Sequence, residues 1–577
     1  MPRKHSILSI AMIGLLAVTA CAPSQSAGGR TDEAASAPPP REKVLTAAIQ
    51  REIASFDDRI TGATGGAAFR HAIEVVTDGL TAPPVIEGQE REMRLATELP
   101  STTNGGWVVK PDGTMDMTWK LVRNAKWHDG TPLTAADYVF GVNLRNDKEV
   151  AKQAPAGGAQ YIRSIDTPDP YTLVTHWSQL SLLGQYGAGL EPLPRHILEP
   201  VYKEDKTQLQ NHRYFSSDFV STGPFKLTQF EPGSHQEFTR FDEYYRGPAK
   251  VSKIILRQVP DTNTMTANFL AGGVDLVLYP GIELELALEL KDRFQREGTG
   301  HQVIVGMREQ ANNWELQVDP IYARPVNGMP NALVRQGLLQ AIDREEIAEL
   351  MTSGYSPVAT QQYAPGTEGE FYLKDYIFSP NFPYKYPYDP RKAQELLAQA
   401  GWTTGSDGML VHSLSGERFD FLVHIRQGGA QLKHNSVIQQ NWKAVGANLE
   451  MHTLTTAEQN DNKFIALKPG AGHVTAGITA RRIHSSGLAT EANNWTGGNN
   501  RGRWNNPETD RLIEKLEVVI DPAERKTAYR EYLDHSMGLV AFYPFFWEPI
   551  PWIAAKGVTG MLPVGTNQNN WWAVDRN

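Results

Sequence analysis

An α/β fold behind an export leader is what the sequence predicts, and three observations carry the prediction. From Lys43 onward, short stretches with apolar residues at alternate positions are interleaved with longer stretches of helical character. Three helix starts use one device, Asp389-Pro390, Asn506-Pro507 and Asp521-Pro522: a side chain accepts at the N-cap, and proline presets φ at the first helical position. The composition, 40% hydrophobic and 21% charged over 577 residues, is that of a globular chain long enough for several domains or lobes.

The leader comes first. Arg3 and Lys4 supply a positive start, and Ile7 to Ala20 is apolar but shorter than the roughly 20 residues that span a bilayer. Val18-Thr19-Ala20-Cys21 resembles the bacterial lipobox, in which the peptide is cut before the cysteine and the thiol carries lipid. Ordinary cleavage after Ala20 fits the same residues. Cys21 is the only cysteine in the chain, so no internal disulfide competes for it. Residues 1–20 therefore read as signal peptide and 21–42 as a lipidated cysteine with a flexible tether. Ala22 to Glu42 is rich in Ala, Ser, Gly and Pro and cannot bury enough apolar surface to offset its ordering entropy. No later segment has the length and apolarity of a membrane-spanning helix. Removal of Arg3 and Lys4 with the leader takes the formal charge from −9 to −11, an acidic balance that argues against a nucleic-acid partner.

The body of the chain follows. Met115, Met117, Trp119 and Leu121 alternate with polar residues as in a half-buried strand. Thr134 and Asp137 form a capping box that opens a helix through Tyr138, Val139 and Phe140. Gly223 to Phe241 reads as two strands joined at Pro232-Gly233, and Lys253 to Val259 as another. Asn331 caps one helix expected to bury Val334, Leu338, Ile342 and Ile347 and to end near Gly354. Gly401 stands where a left-handed C-cap belongs after "AQELLAQA", and Glu524 completes a capping box with Asp521. No internal repeat is visible.

Catalytic templates are missing. The chain has no G-x-S-x-G, no Walker A and no H-E-x-x-H, and its 15 histidines show no metal-ligand spacing. "WHDG" (Trp127 to Gly130) is explained by a turn in which Asp129 bonds its own backbone and Gly130 takes a positive φ. Neither a catalytic residue, a metal nor a cofactor is expected. Thirteen tryptophans suit a binding protein, most of them as packing.

"WKLVRNAKWHDGTPLTAADYVFGVN" (Trp119 to Asn143) resembles the extracytoplasmic solute-binding proteins of family 5, the peptide- and nickel-binding receptors of bacterial ABC importers. The resemblance continues in order through "STGPFKLTQFEPGSHQEFTRFDEYYRGPAKVSKIILRQVPDTNTMTANFLAGGVDL", "VRQGLLQAIDREEIAELMTSGY", "YDPRKAQELLAQAGW", "RWNNPETDRLIEKL" and "DPAERKTAYREYLDHSMGLVAFYPFFW". It implies a two-lobed periplasmic-binding-protein fold with an extra subdomain, the lobes joined by crossover strands and closing on a ligand in the interlobe cleft. Residues 43–308 would form lobe I, with an insertion at about 90–215. Residues 309–540 would form lobe II, and 541–577 would return to lobe I. The partners implied are a peptide or other small solute and the permease, with the receptor a lipid-anchored monomer, periplasmic or at the outer face of the cytoplasmic membrane.

One departure bears on the ligand. Peptide-binding members carry a Trp-x-x-Asp-Tyr segment whose aspartate pairs with the peptide amine. Here the corresponding stretch holds no aspartate and places Arg481-Arg482 nearby. A guanidinium pair would favour a carboxylate or phosphate, unless one or both arginines face solvent or pair with a neighbouring acid. Asn494 and Trp495 offer an amide and a stacking face, or a capped turn. Asn313, Trp314 and Tyr363 are further ligand candidates, and Trp571-Trp572 are expected to pack the C-terminal return. Oligosaccharide and nickel-chelate receptors are the alternatives within this fold. A secreted hydrolase or a lipoprotein chaperone is the alternative outside it.

Overall fold

Two long strands organise the computed structural model. Gln302–Leu316 and Phe542–Ala554 pair antiparallel, and the second is buried at every position except Glu548. Burial on both faces explains its continuous run of aromatic and aliphatic residues, since neither side meets water. The structure describes residues 42–62, 66–82, 91–150, 159–360, 362–365, 367–426, 429–495, 500–561 and 571–577. Cys21, the signal peptide and nearly all of the tether lie outside the described residues.

These crossover strands sit inside one ten-stranded mixed sheet. On one side follow Ala471–Gly477, Asp420–Ile425 and Asn448–Thr453; on the other, Leu276–Val277, Val44–Ile49, Lys253–Gln258, His235–Arg240 and Phe225–Glu231. Two lobes result, each with its own core. One core gathers Leu45, Ile254, Phe238, Leu276, Trp552 and Trp571. The other gathers Trp314, Leu338, Phe421, Trp442 and Tyr543. A separate four-stranded sheet (Trp107–Val109, Met115–Lys120, Thr172–Trp177 and Ile162–Asp169) covers a third core of Met115, Met117, Trp119, Tyr138 and Trp177.

Local signals act as their chemistry requires. Thr134 and Asp137 form the capping box of Ala135–Asn146. Asp389, Asn506 and Asp521 each accept two backbone N–H bonds ahead of a proline. Gly401 has φ +88°, the left-handed position that ends the preceding helix. The helix expected from Asn331 to Gly354 is instead two, Ala332–Gln340 and Arg344–Thr352. Asp343 accepts from the Glu346 amide at 2.9 Å and starts a second helix inside the apolar periodicity.

"WHDG" is a turn, with Asp129 accepting from the Thr131 amide at 3.0 Å and Gly130 at φ +90°. Buried His128 accepts from the Ser221 amide on Nδ1 and donates from Nε2 to the Gly223 carbonyl, both at 3.1 Å. Burial lowers its pKa to about 3, so the ring is a neutral pin between the inserted subdomain and the first lobe. Trp571 is buried in the first lobe, and Trp572 lies under Arg246 and donates to the Gly247 carbonyl.

Candidate ligand-binding site

The crossover strands bend where the lobes meet. Met307 pairs with Pro549 and Ala311 with Trp547, so Arg308, Glu309 and Gln310 stand opposite Glu548 alone. Three residues against one make a bulge, which breaks the ladder and turns the strand. The guanidinium of Arg308 lies 5.1 Å from the Tyr279 ring centroid and donates to its hydroxyl at 3.1 Å. Burial pushes the Glu548 carboxyl up to about 7, with Glu283 acting the same way and Arg308 opposing. Burial also raises the Glu309 carboxyl.

A buried hydrogen-bond chain reaches this bend from the core of the second lobe. Trp314 donates from Nε1 to Asn435 at 3.0 Å, and Asn435 donates to Nδ1 of His473 at 2.6 Å. His473 then donates from Nε2 to Asn312 at 2.8 Å, and Asn312 contacts Thr475 at 3.4 Å. Thr475 hydrogen-bonds Glu548. Burial holds His473 down to about 3, so the neutral ring passes one hydrogen bond through each nitrogen.

Contacts span the cleft at three further places. Lys291 of the first lobe donates to the Tyr355 hydroxyl of the second at 2.5 Å. Tyr186 of the inserted subdomain stands within electrostatic reach of Glu368 and Arg525. Tyr161 stands within the same reach of Arg481, and Ile520 packs against the subdomain core.

The structure separates the residues singled out from sequence. Arg481 and Arg482 do not form one fork: Arg481 binds Glu517 through Nε and Nη2, whereas Arg482 binds Glu315. Trp314 is a core residue, fully buried and stacked between Phe421 and Tyr543. Asn313 is 2% exposed and donates to the Ala311 carbonyl at 2.8 Å. Tyr363 packs edge-on to Tyr529, so close to Gly369 that a Cβ there would meet its ring at 2.4 Å. Asn494 and Trp495, at φ +53° and +59°, close the turn after Glu491–Asn493, and Lys463 lies over the indole at 5.5 Å.

What sequence reasoning missed lies beside Arg482. A small, partly open pocket is lined by Glu315, Arg482, Arg501, Trp504 and Phe542, among others. Arg501 and the nearby Lys468 carry no periodicity or motif. The weak signal in sequence was the pair of arginines in "RGRW", just before the Asn506 cap.

Comparison with known proteins fits this architecture. Residues 99–472 match the family of bacterial extracellular solute-binding proteins, family 5 Middle. The chain is 24% identical over 441 residues to the oligopeptide-binding protein AppA of Bacillus subtilis, covering 74% of this chain and 73% of that protein. The structure of AppA from Bacillus subtilis in complex with a nonapeptide superposes with TM-score 0.68 at 18% identity, covering 93% of this chain and 99% of that one. NikZ from Campylobacter jejuni in complex with Ni(L-His) superposes with TM-score 0.70 at 19% identity, covering 92% and 99%.

Proposed function

The chain belongs to the bacterial extracellular solute-binding proteins, family 5, and on that premise we propose that it captures a peptide or peptide-like solute outside the cytoplasmic membrane and hands it to the permease of an ABC importer. The observation that carries this reading is the bent pair of crossover strands, with the lobes in contact on either side of the cleft. Such a joint lets two rigid lobes close on a solute and present a closed shape to the permease. The oligopeptide-binding protein among its relatives supports a peptide class of ligand. The solute is held and released unchanged. The receptor acts as a monomer, and lipid on Cys21 keeps it beside the permease, with residues 22–42 as tether. Among the described residues no helix is long and apolar enough to cross a membrane.

Thermal-shift screening of the purified protein tests the reading, because a solute that binds only the folded state raises its melting temperature. Di- and oligopeptides are expected to raise it, while cello- and xylo-oligosaccharides and Ni(II)–histidine leave it unchanged. No shift with any solute, together with turnover of one of them, would overturn the receptor reading.

A further inference from the structure

The cavity beside Arg482 holds more positive charge than it neutralises. Arg482 gives one nitrogen to Glu315, and no described residue accepts from Arg501. Lys468 is 9% exposed, and among the described residues its ammonium donates only to the Ile465 carbonyl, at 2.9 Å. The sheet register brings that ammonium to the same face. Glu315 pairs with Gly472, so their side-chain directions coincide, and a Cβ on Gly472 would lie 3.2 Å from Lys468 Nζ. Glycine at 472 leaves that room. Phe542 pairs with Glu315 on its other side and lines the same cavity.

Lys468 and Arg482 each feel the charge of Arg501. Burial and Arg501 together push Lys468 down to about 7 and Arg482 down to about 10. Among the described residues that line the cavity only Glu315 opposes them, and one of its oxygens is buried with no described partner. Buried charge of one sign is costly unless an anion offsets it.

We propose that this cavity is a carboxylate-binding subsite, in which Arg501 and the free nitrogens of Arg482 clamp one carboxylate group of the solute beside Lys468. Glu315 already shows that a carboxylate fits the Arg482 guanidinium. The pocket is small, with room on the order of a single water molecule, so it takes at most the head of a carboxylate and not a whole peptide. The subsite rests on the receptor reading only for the identity of the molecule that carries the carboxylate.

Sodium acetate titrated into the purified full chain at constant ionic strength, with melting temperature as readout, decides it. Acetate is expected to raise the melting temperature saturably in the wild type. Arg501→Gln should weaken that response about tenfold, Arg501→Lys should keep part of it, and the surface control Arg511→Gln should keep all of it. Arg501→Gln removes a cation that has no acceptor among the described residues, so the variant retains the fold. No acetate response, or equal responses in wild type and Arg501→Gln, would overturn the subsite. A larger shift with phosphate than with acetate would overturn the carboxylate assignment in favour of an inorganic anion. Tri-alanine, tested in parallel, separates the two claims. A peptide response without an acetate response keeps the receptor reading and removes the subsite; the reverse keeps the subsite and removes the peptide reading.

Discussion

Lys291 Nζ donates to the Tyr355 hydroxyl at 2.5 Å and lies 5.1 Å from its ring centroid, tying a helix of the first lobe to the turn after Arg344–Thr352 in the second. The pair is half-exposed, so its contribution is modest. Tyr355→Phe keeps the ring and removes the acceptor. Solute dissociation should then accelerate about two- to fivefold, with association unchanged. Stopped-flow measurement with any solute that stabilises the protein checks this, and an unchanged dissociation rate would rule out a latch.

Arg481 and Arg482 should respond differently to the same substitution. Arg481 and Glu517 are exposed enough for water to compete, so Arg481→Ala should change stability by less than about 1 kcal/mol. Glu315 is 5% exposed, so Arg482→Ala strands a buried carboxylate and should cost about 3 kcal/mol. Urea unfolding midpoints compare the two, and equal losses would contradict this assignment of partners.

Glu548 links stability to pH. Its carboxyl, raised from 4.5 to about 7, keeps in the folded chain a proton that the unfolded chain releases. The contribution is fully present below about pH 4.5 and is lost as pH rises through about 7. Glu548→Gln cannot release that proton. Its melting temperature relative to wild type should therefore climb between pH 5 and pH 8, and a constant difference would show that Glu548 titrates normally.

Trp314 packs against Phe421, Trp442, Tyr543 and Phe545. Trp314→Ala should cost about 3–5 kcal/mol in urea unfolding. Trp314→Phe should cost less and leave solute affinity unchanged. A selective loss of affinity in the phenylalanine variant would return Trp314 to the binding surface.

Cys21→Ser should abolish metabolic labelling with palmitate and release the protein from the membrane fraction. Continued labelling would show that the lipid sits elsewhere.

Much of the local architecture was legible because its causes are local. The Thr134–Asp137 box and the three caps ahead of proline need only residues within three positions. The break at Asp343 escaped because Ile342 and Ile347 continue an apolar period across it, while the cap that starts the new helix is a single side chain. The candidate site was less legible, because its charge balance is set over long distances. Arg481 finds its acid 36 residues away and Arg482 finds its own 167 residues away.

By itself the sequence determined the alternation of strands and helices and the family, since patterning and punctuation are written in contiguous residues. The tertiary structure alone decided which acid each arginine meets. Strand register sets Gly472 opposite Glu315, and that pairing makes room for Lys468. It also put Trp314 in the core and left Arg501 without an acid among the described residues. A charge's availability depends on what folding brings within a few ångströms of it, and no spacing along the chain encodes that distance.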